Sequence, residues 1–134
     1  MARSVRFPVA TPADANRARQ EARALAAAVG FDIATTEMVA LATGELATNL
    51  VRYAVGGDLS LVVLDENGMF GIEVESRDAG PGIADLGRAL EDGFSTGGGL
   101  GNGLPGVRRL MDDFEIRSGS DGTHVKARKW RRAR

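Results

Sequence analysis

A chain of 134 residues with 43% hydrophobic and 26% charged residues has the make-up of an ordinary globular protein, and its length fits one domain, residues 1–134, burying about two-thirds of its unfolded surface. Seventeen Lys and Arg against 18 Asp and Glu leave a formal net charge of −1, so the overall field favours neither nucleic acid nor a membrane surface. The absence of cysteine excludes disulfide frameworks, thiolate metal sites and thiol catalysis, and the absence of a leader-like or spanning apolar run predicts a soluble, cytoplasmic protein.

Val5, Phe7 and Val9 alternate with polar or small neighbours and predict a short first strand. Thr11-Pro12-Ala13-Asp14 then combines a capping hydroxyl, a proline suited to the first helical position and a carboxylate three residues on. The helix it opens runs to Val29, with Gly30 at its stop. Leu25, Ala28 and Val29 predict a modest apolar face, and the helix reads as scaffold. Asp32 caps a second, longer helix from about Ile33 to Ala54, ended by Gly56-Gly57. Only Glu37, Glu45 and Arg52 are charged between Ile33 and Tyr53, so most of its circumference is expected to be buried. Glu45 and Asn49 stack on one face with Met38, Leu41 and Ala42. A carboxylate and an amide in an apolar arc need partners: each other, neighbouring backbone, or a ligand. Gly44 weakens the helix by ~1 kcal/mol relative to Ala and predicts close approach by backbone or ligand.

Leu59 to Leu64 and Phe70 to Arg77 read as strands joined through Asp65-Glu66-Asn67-Gly68, a hairpin signal. Ile72 and Val74 point to one face, and counting on by two puts Asp78 on that core-facing side. Ala79-Gly80-Pro81-Gly82-Ile83 follows at once. Asp78 therefore either starts a turn or reads a ligand at a strand end. A short helix around Asp85 to Leu90 leads to the segment Gly93–Gly103, in which six of eleven residues are glycine. It is either a flexible linker or a loop whose free N–H groups, with the helix that follows from Leu104 to Met111, suit phosphate. Phe114-Glu115-Ile116 begins a strand, Ser118 to Gly122 turn, and Thr123 to Trp130 return. Thr123, Val125 and Ala127 share a face, so Thr123 is expected to look towards the core, and His124 towards solvent as a structural residue. Six of the nine residues from Lys126 to Arg134 are basic; with Trp130 alone among them as an aromatic, they read as a solvated strand edge with a frayed tail from residue 131. The order βααββ, short helix, loop, α, ββ predicts an α+β two-layer sandwich, a mostly antiparallel sheet with helices on one face.

Gly101-Asn102-Gly103-Leu104-Pro105-Gly106 matches the dinucleotide-binding pattern formally, but no strand precedes it and Pro105 interrupts it. A different set is informative. Glu45-x-x-x-Asn49, Asp78-Ala79-Gly80-Pro81-Gly82, then Gly97, Gly98, Gly99, Leu100, Gly101, Asn102, Gly103 and Leu104, and finally Gly122-Thr123 follow one another in this order and spacing. Together they resemble the GHKL ATPase superfamily, the Bergerat nucleotide-binding fold of gyrase-, histidine-kinase- and MutL-type proteins. The small size and the runs EDGFST, GGLG, GLPGV and RLMD look most like the RsbT type of stressosome switch kinase, with RsbW- and SpoIIAB-type anti-sigma kinases more distant. The resemblance covers nearly the whole chain.

That resemblance implies ATP and Mg²⁺ as cofactors. Asn49 would offer its amide oxygen to the metal, and Glu45 would act as general base or orienting group for the attacking hydroxyl. Asp78 would accept from the adenine amino group with Thr123 in support, and Gly80 and Gly82 would let backbone approach the base. Residues Gly97 to Leu104 would form a lid over the phosphates. The implied function is a serine/threonine kinase of a partner-switching pathway, phosphorylating a STAS-domain antagonist and, when free, activating a PP2C-type phosphatase. Rivals are an anti-sigma factor that sequesters a sigma subunit directly, and an ATP-binding module without transfer activity. Neither nucleic acid nor membrane is an expected partner, and self-association as a homodimer stays open. Tyr53 stands where many relatives have histidine, and Asn102 adds an amide to the lid. Arg108 and Arg109 either touch the γ-phosphate or a partner, or form an exposed basic face.

Overall fold

The structure is a computed structural model that describes residues 4–53, 56–80 and 103–131. Among these the elements run β1 (Ser4–Val9), α1 (Pro12–Val29), α2 (Ile33–Tyr53), β2 (Gly57–Glu66), β3 (Met69–Arg77), α3 (Gly103–Leu110), β4 (Asp113–Gly119) and β5 (Gly122–Trp130). The strands form one sheet in the order β1-β2-β3-β5-β4, and every neighbouring pair is antiparallel. The expected short helix around Asp85 to Leu90 lies outside the described residues.

The turn chemistry explains the sheet order. Asn67 and Gly68 both take positive φ, 56° and 84°, as a hairpin turn that follows the strand twist requires. After α3 the chain enters the sheet at its edge as β4 and folds back, so that β5 fills the gap beside β3. The β4–β5 turn is tighter than the sequence predicts. Ser118 pairs with Thr123 and Gly119 with Gly122, so only Ser120 and Asp121 lie outside the ladder.

One sheet face carries the core. Leu59, Leu61, Ile72, Val74, Val125 and Ala127 are each no more than 3% exposed, and burial of each large aliphatic among them contributes about 1.5–3 kcal/mol. Helices cover this face. Of the expected α1 face, Leu25 is buried and Val29 packs partly buried against the core, while Ala28 is exposed; Ala15, Ala18, Ala22 and Ala26 complete the buried face. Small side chains let α1 lie close on α2. Arg23 of α1 also grips Glu37 of α2 with two bonds, 2.8 and 2.9 Å. In α2 no residue from 39 to 51 is exposed; the burial expected of this helix holds there and fails at its first turns, where Ile33 and Met38 are 85% and 37% exposed.

The opposite sheet face is polar and internally paired. Arg128 donates to Glu73 at 2.7 Å. His124 bonds Glu75 through Nε2, while Nδ1 lies 3.3 Å from an Arg117 guanidinium nitrogen. Arginine only donates, so Nδ1 accepts and Nε2–H is the donor to Glu75. His124 thus stands on the face away from the helices, as expected, in a structural role. Arg131 is tied back: its N–H donates to the Phe70 carbonyl at 2.8 Å, its guanidinium lies over the Phe70 ring, and Nη1 reaches the Val29 carbonyl at 3.3 Å.

Among the described residues, four carboxyls are held below their ordinary values, 3.8 for Asp and 4.5 for Glu. Asp14 accepts the N–H groups of Ala10 and Thr11 in a capping box, and Asp32 accepts that of Thr35. Glu37 is held down by the Arg23 fork. At Glu75 burial pushes upward, but hydrogen bonds from His124 and Arg77 outweigh it. A carboxyl depressed in the folded state contributes stability fully above its unfolded pKa and loses it as pH falls through the folded value. The thermal midpoint is therefore expected to stay level from about pH 7 to about pH 5 and to drop on further acidification. Asp14→Asn should lower the neutral midpoint and flatten part of the acid slope; a midpoint indifferent to acid would contradict this.

Candidate functional site

The first cluster grows out of the burial of α2. Glu45 sits in the helix stretch that has no exposed residue, itself 8% exposed, and its carboxylate requires a donor. The donor comes from 58 residues along the chain: the Gly103 N–H donates to Glu45 Oε1 at 3.2 Å. Gly103 is the first residue of α3, where backbone N–H groups lack intrahelical acceptors and the dipole favours negative charge. A backbone N–H thus meets the carboxylate, but it comes from a distant segment and not from the neighbouring backbone expected. Asn49 stands one turn on, half-buried.

At its other end α3 is held to the sheet. Lys129 Nζ donates to the Leu110 carbonyl at 2.7 Å, a cation at a helix C-terminus, and the Asp112 N–H donates to the Arg128 carbonyl at 2.8 Å. Leu104 and Val107 of α3 are buried, whereas Arg108 and Arg109 are exposed.

The second cluster lies where β3 ends beside β5. The Asp78 N–H donates to the Thr123 carbonyl at 3.0 Å. Asp78 Oδ1 accepts from the Gly80 N–H at 2.8 Å and from the Thr123 N–H at 3.3 Å. The turn reading of Asp78 is the one observed: Oδ1 closes the turn to Gly80, and Oδ2 takes part in neither bond. Thr123 is on the same sheet face as buried Val125 and Ala127, as alternation requires. Its hydroxyl lies 2.8 Å from that of Ser118 on β4, a residue not singled out by sequence reasoning; only the cross-strand register brings it there.

Gly122 makes this junction close. Its φ is 135°, and a β-carbon there would stand 2.0 Å from the Asp78 carbonyl oxygen. Gly44 has a different explanation from the one expected. A β-carbon at Gly44 would meet the Arg19 side chain at 3.2 Å, so what approaches is the stem of an α1 arginine, in helix packing.

The structure thus places Glu45 with Gly103, and Asp78 with Gly80 and Thr123. Gly82, Gly97, Gly98, Gly99, Leu100, Gly101 and Asn102 lie outside the described residues. Among the described residues no group of three or more His, Asp or Glu side chains is arranged to hold a metal.

The sequence pattern of the histidine kinase-like ATPase domain matches residues 9–129. The chain belongs to that family. Within the family it is 42% identical over 125 residues to the serine/threonine-protein kinase RsbT of Bacillus subtilis, covering 92% of this chain and 94% of that one. A crystal structure of the RsbU and RsbW domains of a Mycobacterium tuberculosis protein shares the fold, with a TM-score of 0.67 at 20% identity over 98% of this chain. This chain spans 34% of that longer one. The resemblance to GHKL ATPases and the α+β sandwich expected from sequence are both borne out. Over nearly all of both chains, this member of the kinase-like ATPase family is thus similar to a serine/threonine-protein kinase.

If the β3–β5 junction is part of the ATP site of this kinase-like ATPase, Gly122→Ala should damage it. Positive φ and the carbonyl clash together predict a loss of more than about 1 kcal/mol of stability, with weaker ATP binding. Thermal melts and calorimetric titration with ATP measure both, and unchanged values in each would refute the junction's importance.

Proposed function

We propose that Glu45, Asn49, Asp78 and Thr123 form one ATP site from which the γ-phosphoryl group passes to a serine or threonine hydroxyl of a STAS-domain antagonist protein in the cytoplasm. The observation that carries the proposal is the buried Glu45 carboxylate, tied to the first N–H of α3 and one helical turn from Asn49. In that position the carboxylate would accept the proton of the attacking hydroxyl, or orient it, as the phosphoryl group is transferred. Asp78 would accept from the adenine amino group, its plane fixed by the bonds to Gly80 and Thr123. The glycine segment from Gly97, continuing into α3, would bring backbone N–H groups to the phosphates.

Mg²⁺ fits the donor set. The amide oxygen of Asn49 is a hard ligand beside a carboxylate, and Mg²⁺ in phosphoryl-transfer sites takes few protein ligands, completing its shell with phosphate oxygens and water. When bound, it would neutralise charge on the β- and γ-phosphates. On this reading Asn49 holds the metal while Glu45 handles the proton. Free of its antagonist, the kinase would activate a PP2C-type phosphatase, and the likeness to a B. subtilis RsbT supports that assignment.

Phosphorylation of the cognate STAS protein is the test. Glu45→Gln keeps an acceptor for the Gly103 N–H yet removes the base, so transfer should fall by about 100-fold or more with ATP affinity little changed. Transfer that survives Glu45→Gln would remove the mechanism. Asn49→Ala should weaken ATP binding in the presence of Mg²⁺ and leave Mg²⁺-free binding much less affected; equal affinity with Mg²⁺ would discard the metal assignment. Recovery of a sigma subunit in place of a phosphatase as the bound partner would overturn the partner assignment.

A further inference from the structure

Ser118 is absent from the motif set, yet it stands one hydrogen bond from the proposed base-reading pair. It lies on β4 directly across from Thr123 on β5, half-buried on the sheet face that carries the core. The Ser118 Oγ to Thr123 Oγ1 distance of 2.8 Å is the usual length of a hydroxyl–hydroxyl bond. A threonine Oγ1 sits where χ1 puts it, and χ1 of a β-branched residue has few wells, but the hydroxyl hydrogen turns to suit its partners. Lacking a partner, such a hydroxyl turns to water or to local backbone. With Ser118 opposite, a proton from one of the two hydroxyls lies between the oxygens, which restricts the orientations that the Thr123 hydroxyl can take.

The same threonine is engaged on its backbone side. Its N–H holds Asp78 Oδ1 and its carbonyl accepts from the Asp78 N–H. A continuous chain of bonds therefore runs from β4 through β5 to the end of β3: Ser118 to Thr123, then Thr123 to Asp78. The β4–β5 turn that carries it is held against Asp78 by the bare α-carbon of Gly122.

We infer that Ser118 is a positioning residue for nucleotide recognition, holding the Thr123 hydroxyl in the orientation from which it supports the contact between Asp78 and the purine. The inference rests on the proposed roles of Asp78 and Thr123 as base readers. It adds a strand to the base site, because β4 then contributes through the serine hydroxyl what β3 and β5 alone do not supply.

Calorimetric titration of the full chain with ATP tests it, using Ser118→Ala, Ser118→Thr, Ser118→Val, Thr123→Ala, Asp78→Asn and the Ser118→Ala/Thr123→Ala double variant. Loss of one neutral hydrogen bond should weaken ATP binding about 3- to 10-fold in Ser118→Ala, and in kinase assays the loss should fall on the KM for ATP rather than on kcat. Ser118→Thr should restore affinity and Ser118→Val should not. Those two side chains have nearly the same shape, so their difference reports the hydroxyl even where Ser118→Ala lowers the melting temperature. The double variant should bind ATP no more weakly than Thr123→Ala alone. Wild-type affinity in Ser118→Val, or additive losses in the double variant, would overturn the role of Ser118 while leaving the base site standing, provided that Thr123→Ala and Asp78→Asn are weakened. Wild-type affinity in those two as well would bring down the base-site reading itself.

Discussion

The Glu45 cluster depends on a long helix whose middle exposes no residue. From residue 39 to residue 51, α2 is enclosed by the sheet, by α1 and by α3. A carboxylate placed in such a stretch is costly unless a donor meets it. The structure supplies that donor from the N-terminus of α3, so the burial of Glu45 and the location of α3 are one fact seen from two sides. Lys129 and the Asp112 backbone then fix the opposite end of α3 to β5. The short helix that follows the glycine segment is consequently held between the core helix and the sheet, with its first N–H, that of Gly103, bonded to Glu45.

The strand ends solve a different problem. β3 stops at Arg77 while β5 begins at Gly122, and the bond from the Asp78 N–H to the Thr123 carbonyl continues the ladder past the last strand residue. Two features make that continuation rigid: a carboxylate oxygen that accepts two N–H groups, and a glycine whose missing side chain lets the hairpin touch the Asp78 carbonyl. Behind the junction, the hydrogen bonds of His124 to Glu75 and to Arg117 tie the same three strands together on the polar face. A ligand reader built here needs no further support from loops, because each of its groups is mounted on a strand end or on the turn beside it.

Local rules carried much of the chain. The capping box of Thr11 and Asp14, the cap at Asp32, the stop at Gly30 and the Asn67-Gly68 hairpin are decided within four or five residues, and each stands as the sequence implies. Alternation placed Asp78 and Thr123 on one face before any pairing was known. Where inference erred, a neighbouring element was responsible. Alanines complete the α1 face because α2 lies close, a choice that hydrophobicity does not rank. Gly44 answers to the stem of Arg19, and Ser118 left the expected turn because its strand ladder runs on to Gly119.

The sequence by itself determined the period of each element, the caps, the antiparallel hairpins and the ordered set of motifs that identified a kinase-like ATPase. Those properties are local or follow from spacing along the chain. Tertiary structure alone decided which group satisfies Glu45, which hydroxyl faces Thr123 and what fills the space at Gly122. The contacts of Glu45 with Gly103 and of Gly122 with Asp78 join segments far apart in sequence, and that of Ser118 with Thr123 is set by the register of the β4–β5 hairpin, so none is decided by a residue's own local propensity.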